Sequence, residues 1–194
     1  MKKILLLFLL LTSFSYGQTP AEDFGKSLYN VINRNENKIN VSFKEVLNEI
    51  VVINSASNAR FSGGNSRQGL KVRLPIGTTK WYYRITLIDA YGSYTYQSRE
   101  SLFSLLSNGY PLFVNNQTDF GIDFYVLDDF SINNFTQTGN DNFRFYRDFS
   151  KEKTRGFYGE CNLNHNNLWI GLRNNNITQG IKAIVEVVAF GNFN

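Results

Sequence analysis

The sequence predicts an all-β fold, an antiparallel β-sandwich or jelly-roll-like domain with a short helical insertion. Three observations point there. Residues 81–88 and 181–190 are β-branched and aromatic runs whose two alternating faces are both largely apolar, as in strands covered on both sides. Asparagines cluster at Asn115 and Asn116, at Asn133 and Asn134, through 162–167, and at Asn174, Asn175 and Asn176; Asn bonds to nearby backbone and tolerates left-handed conformations, so these clusters punctuate strands. In the chain beyond its leader-like start, residues 97–106 give the best helical spacing.

The chain opens with Lys2 and Lys3, an apolar run over 4–11, and small residues at Ser15 and Gly17 before Gln18. This is the pattern of a cleaved secretory signal over residues 1–17, so a secreted or periplasmic protein of bacterial-envelope style is expected. The apolar run is too short to cross about 30 Å of hydrocarbon, so no transmembrane anchor is expected. No cysteine stands near the cleavage point to carry a lipid. The formal charge of +4 for 194 residues falls by two when Lys2 and Lys3 are removed. That weak balance, without a concentrated basic stripe, makes nucleic acid an unexpected partner.

Cys161 is the sole cysteine, which excludes an intrachain disulfide and leaves stability to the core. Packing as a small buried hydrophobe is its expected role, with an exposed interchain thiol as the alternative.

Residues 18–40 read as an N-terminal arm, rich in Asn and with only a marginal helix over 21–31. The rest, 41–194, reads as one sandwich domain. Residues 42–48 are compatible with helix, and the β-branched run 49–53 with a strand. The Gly63-Gly64 segment lacks the order of a phosphate-binding loop. Leu70, Val72 and Leu74 alternate with Lys71 and Arg73, giving a strand with one wet face that Pro75 ends. Trp81, Tyr83, Ile85 and Leu87 share one face of the next strand, with Tyr82, Arg84, Thr86 and Ile88 on the other. That strand should be central, covered by a second sheet or a helix.

Ser98 can cap the helix expected over 97–106, where Leu102, Leu105 and Leu106 form a stripe and Gly109 and Pro111 stop it. Four further strands are expected at 120–127, 143–146, 167–172 and 181–190. In the last, Ile181, Ala183, Val185, Val187 and Ala189 oppose Lys182, Ile184, Glu186, Val188 and Phe190. An inner strand is implied.

Several stretches resemble a GOLD-like β-sandwich of secretory-pathway proteins: the extended segment 72–87 with its Pro75-Ile76-Gly77 turn, the Gly-aromatic strand 156–161, the Asn-ended segment 168–174 and the strand 182–190. The insertion holding the helix departs from the simplest form of that family. The resemblance implies a noncatalytic protein-contact module.

His165 is the only histidine, which excludes an all-His metal site within the chain. A Cys161/His165 nucleophilic pair needs a base or positive environment to lower the thiol pKa, and an Asn-rich loop does not set the two on one face. Asp119, Asp123, Asp128 and Asp129 raise two further chemistries, carboxylate-dependent glycoside hydrolysis and Ca²⁺ ligation. Asp119 and Asp123 would lie about 13 Å apart on an extended strand. Asp141 between Asn140 and Asn142 could add oxygen ligands, but EF-hand order is absent. No cofactor and no metal centre is expected.

Rings and guanidinium groups are the strongest hint of binding, because rigid apolar area around strong polar contacts anchors interfaces. Trp81, Tyr82, Arg84, Tyr158, Trp169 and Arg173 are the contact candidates, drawn from both faces of the expected strands. Core packing competes for each. The expected function is an exported noncatalytic binding or structural module for an envelope or extracellular protein. A carbohydrate-binding module for a surface glycan is the alternative, and a carboxylate-dependent glycoside hydrolase is third.

Overall fold

A computed structural model describes residues 41–90, 100–114, 118–137 and 140–193. The expected signal segment 1–17 and arm 18–40 lie outside the described residues, as do Ser98 and the start of the expected helix. Among the described residues the eight strands are β1 (Val41–Ile53), β2 (Arg67–Val72), β3 (Thr78–Asp89), β4 (Ile122–Asp128), β5 (Lys151–Thr154), β6 (Gly156–Cys161), β7 (Leu168–Arg173) and β8 (Ile181–Asn192). Helices α1 (Ala56–Phe61), α2 (Leu102–Ser107) and α3 (Asp129–Thr136) and a 3₁₀ turn at Arg147–Phe149 connect them.

The strands form two four-stranded sheets, β1-β8-β3-β6 and β2-β7-β4-β5, with antiparallel pairing throughout the described ladders. The all-β sandwich expected from the sequence is what forms. Its core is the shared inner face: Trp81, Tyr83, Ile85 and Leu87 of β3 and Val185 and Val187 of β8 meet Ile122, Phe124 and Val126 of β4 and Leu168, Ile170 and Leu172 of β7. The Tyr83 ring stacks on Phe124 with centroids 5.0 Å apart. Polar tips of the core rings find acceptors, since Trp81 Nε1 donates to the Leu163 carbonyl at 2.7 Å and the Tyr83 hydroxyl to that of Phe149 at 3.0 Å. Cys161 is buried in this core.

The outer face of the first sheet is dry too. Tyr82 and Val188 lie beneath Leu102, Leu105 and Leu106 of α2 and Leu112 beyond it. Ser101 caps α2: its hydroxyl accepts from Ser104 N–H. It ends where Gly109, at φ +68°, lets Tyr110 N–H reach back to the Leu105 carbonyl.

Three expectations are corrected. Residues 42–48 continue β1 instead of forming a helix, because pairing with β8 holds them through a bulge between Glu45 and Leu47. Phe143 to Tyr146 is not a ladder strand: Phe143 and Phe145 lie across the second sheet, packed on Tyr125. Two helices not expected, α1 and α3, are capped by Ser55 and Asp128.

Candidate functional site

Alternation along β2, β7 and β4 sends one set of side chains into the core and the opposite set onto the outer face of the second sheet. Register aligns that outer set in three rows. Arg67, Arg173 and Asp123 stand side by side, then Gly69, Gly171 and Tyr125, then Lys71, Trp169 and Leu127.

The first row is a charged network. Arg67 and Arg173 are cross-strand neighbours of like sign, an arrangement that destabilises unless counter-charge is supplied. Asp141 supplies it, with Oδ1 2.6 Å from Arg67 Nη2 and 2.9 Å from Arg173 Nη1. Arg67 Nη1 also donates to the carbonyls of Phe135 at 3.1 Å, Gln137 at 3.3 Å and Asn140 at 2.6 Å, so it satisfies the C-terminal end of α3. Arg173 Nε meets Asp123 Oδ2 at 2.9 Å, and Nη2 donates to the Tyr125 hydroxyl at 2.7 Å, which in turn donates to Glu152 at 2.7 Å. Burial opposes the Arg173 charge, but Asp123, Tyr125 and Asp141 hold it more firmly protonated than usual. Burial and the bond to Glu152 push the Tyr125 phenol far above its ordinary value.

Asp123 is buried and accepts from Arg173, from the Asn175 amide and from the Lys153 backbone N–H at 2.9 Å. The last contact exists because Lys153 has φ +51° where β4 and β5 slip register between Ile122 and Phe124. A lysine in the left-handed region is strained, and the bulge turns its N–H onto the carboxylate.

In the middle row the absence of side chains on Gly69 and Gly171 brings α3 down onto the sheet. A Cβ at Gly171 would meet Phe135 Cε1 of α3 at 2.9 Å, and one at Gly69 would meet Ile132 Cδ1 of α3 at 2.5 Å. In the third row Trp169 Nε1 donates to Asp129, with Lys71 Nζ 5.3 Å from the ring centroid and 3.5 Å from the same carboxylate. The Trp169 bond chiefly, aided by Lys71, holds the Asp129 carboxyl below its ordinary range.

Two recesses of about 360 Å³ flank β4. One, at the start of α3, is lined by Asp128, Phe130, Ser131, Asn134, Asn142, Phe143 and Arg144. Asp128 fixes its wall by accepting from Ser131 N–H at 2.8 Å, while Phe130 stands 90% exposed. The other, where β4 begins, is lined by Asp119, Gly121, Ile122, Asp123, Lys153, Arg155, Asn175 and Asn176.

The six contact candidates do not converge. Trp81 and Tyr82 are fully buried and Arg84 is 1% exposed, so these three build the two faces of β3 and offer no surface. Alternation alone does not reveal that α2 covers the second face. Half-buried Tyr158 pairs with Arg84 across β3 and β6 and packs on the α2 cluster. Trp169 and Arg173 do share the outer face of the second sheet. Phe130, Glu152 and Lys153 carry that face and escaped sequence reading; α3 is short, and β5 has no apolar period.

The other chemistries find their groups engaged elsewhere. Burial pushes the Cys161 thiol up to about 12, and exposed His165 places Nε2 3.2 Å from the Tyr146 hydroxyl instead. Asp119 and Asp123, expected far apart along a strand, line one cleft because Asp119 lies in the bend before β4. Asp119 faces Arg155 at 3.6 Å. Among the described residues no three His, Cys, Asp or Glu side chains gather as a metal centre would need, and no helix is long and apolar enough to cross a membrane. No protein-family model matches this chain, and no curated protein matches it.

Proposed function

We propose that this chain is an exported, noncatalytic binding module that contacts another envelope or extracellular protein through the recess at the start of α3. The observation that carries the reading is Phe130, 90% exposed on a helix whose Ile132 and Phe135 are buried against the sheet. An aromatic ring held out by an anchored helix, beside a recess walled by Phe143, Arg144 and two Asn amides, has the makeup of an interface anchor. The Asp123, Asp129 and Asp141 carboxylates are committed to Arg173, Trp169 and Arg67, which supports a binding role over acid and base work. Export is supported by the basic, apolar and small-residue order of positions 1–17. The GOLD-like resemblance implies the same class of role.

The test is crosslinking capture from native envelope and secreted fractions with the folded mature chain and with Phe130→Asp. One stoichiometric protein captured by the parent and lost by the variant is expected. Capture unchanged by Phe130→Asp moves the interface elsewhere, and multiple-turnover chemistry lost on Asp substitution in a folded variant would overturn the noncatalytic reading.

A further inference from the structure

The recess where β4 begins has a different chemistry from the one beside Phe130. Its wall carries two cations, Lys153 and Arg155, two carboxylates, Asp119 and Asp123, and the amides of Asn175 and Asn176. Formal charges balance across the lining, which disfavours capture of a simple ion. Donors and acceptors are interleaved at a volume near the small end of ligand pockets.

The recess is also built. Asp123, 3% exposed, is tied by Arg173 and Asn175 and by the backbone of Lys153, and Asn176 Nδ2 donates to the Gly121 carbonyl at 3.0 Å and to Asn174 Oδ1. These bonds fix three walls of one cleft from β4, β5 and the turn after β7. The working groups lie nearer solvent. Lys153 is exposed, and no ion pair engages its ammonium among the described residues; Arg155 holds Asp119 at 3.6 Å with both side chains well exposed, a contact that a ligand can displace.

We propose that this cleft is a saccharide site, taking the hydroxyl-rich end of a glycan. Each sugar hydroxyl both donates and accepts, so it suits a wall where ammonium and guanidinium donors alternate with carboxylate and amide acceptors. Lys153 is the positioning feature, since its left-handed backbone satisfies Asp123 and sets the ammonium on the rim of the same cleft. Four residues of β4, Phe124 to Leu127, lie between Asp123 in this lining and Asp128 in that of the Phe130 recess, about 17 Å of extended chain. The protein-contact proposal and this one therefore stand or fall separately.

The test is nuclear magnetic resonance titration of the folded chain with soluble di- and trisaccharides ending in glucose, galactose, mannose, N-acetylglucosamine or glucuronate. Saturable shifts confined to the amides around Gly121, Lys153, Asn175 and Asn176 are expected with at least one of them. Lys153→Gly is the informative variant, because glycine removes the ammonium while suiting φ +51°. Its fold should be kept and its affinity should fall about tenfold, as loss of a charged hydrogen bond requires, with Arg155→Ala giving a similar loss. No shift at these amides with any saccharide would overturn the proposal. So would affinity unchanged in both variants, or equal shifts with sodium sulfate alone.

Discussion

Arg84 and Glu186 stand opposite each other on β3 and β8 and close a bidentate pair, Nε to Oε2 at 2.8 Å and Nη2 to Oε1 at 3.0 Å. Both are almost fully buried. The pair also ties the insertion to the sheet, since Arg84 Nη2 donates to the Glu100 carbonyl at 2.7 Å and Glu186 Oε1 accepts from Leu102 N–H at 2.9 Å. Removing either partner strands a buried charge, so Arg84→Ala or Glu186→Ala should each cost about 3–5 kcal/mol. Urea denaturation of both single variants and the double variant checks this. The double should be less destabilised than the sum of the singles.

Arg67 and Arg173 depend on Asp141 in a different way, because that carboxylate is largely solvent-exposed. Asp141→Asn should lower stability by about 1 kcal/mol or less. Denaturation midpoints of parent and variant should converge as salt rises to about 1 M, where exposed charges are screened within about 3 Å.

Glycines at two turns and crossings should differ sharply in tolerance. A Cβ on Gly77 would overlap the Asn192 carbonyl oxygen, which is backbone, and its φ is +91°. At Gly69 the obstacle is the end of the Ile132 side chain, which can rotate. Gly77→Ala should cost roughly 2–4 kcal/mol, combining strain with displaced backbone, and Gly69→Ala about half of that. Thermal unfolding of the two variants decides it.

Alkali should unfold the protein through buried acids that keep their protons. The Cys161 thiol is raised by burial to about 12, and the phenols of Tyr82, Tyr83 and Tyr125 are raised higher, chiefly by burial. In the unfolded chain these groups ionise near 8.5 and 10. Above those values the unfolded state holds fewer protons, so stability is full below about pH 8.5 and falls as pH climbs towards 12. Phenolate absorbance should rise together with loss of the folded circular dichroism. Alkylation of Cys161 at neutral pH should require denaturant.

Trp169 reports on Asp129. Its indole bond chiefly holds that carboxyl below the ordinary range, so any stability it adds is present above the unfolded carboxyl value and lost as pH falls through the lower folded one. Trp169 fluorescence should change in acid with a midpoint below about 3.9, and Asp129→Asn should remove the step. Trp81, buried and bonded to the Leu163 carbonyl, should contribute a constant background.

The strands legible in the sequence are those with unbroken apolar periods. Trp81 to Ile88 and Ile181 to Phe190 were readable as inner strands because both faces are covered, one by the other sheet and one, for Tyr82 and Val188, by α2. β1 was half hidden: its faces are mostly exposed and the bulge after Glu45 breaks its alternation. β5 is charged along its exposed length and is held by pairing with β4. Phe143 and Phe145 carry the period of a strand but use it to roof Tyr125, a distinction that only tertiary packing makes. The face around Arg173 was legible in two residues, Trp169 and Arg173. Its organising partners come from distant segments, Asp141 and Lys153, whose neighbours in the chain give no pattern.

The order in which the strands are made has a consequence for how the chain lives before it folds. Among the eight strands only β4 and β5 are both consecutive and hydrogen-bonded to each other, while β8, the last of them, is the hydrogen-bonded neighbour of both β1 and β3. Until the residues up to Asn192 are made, β1 has no hydrogen-bonded neighbour in the first sheet, and the long loops that must close make assembly slow. A chain cut before Ile181 therefore parts β1 from the β3-β6 pair and leaves the first sheet in two pieces.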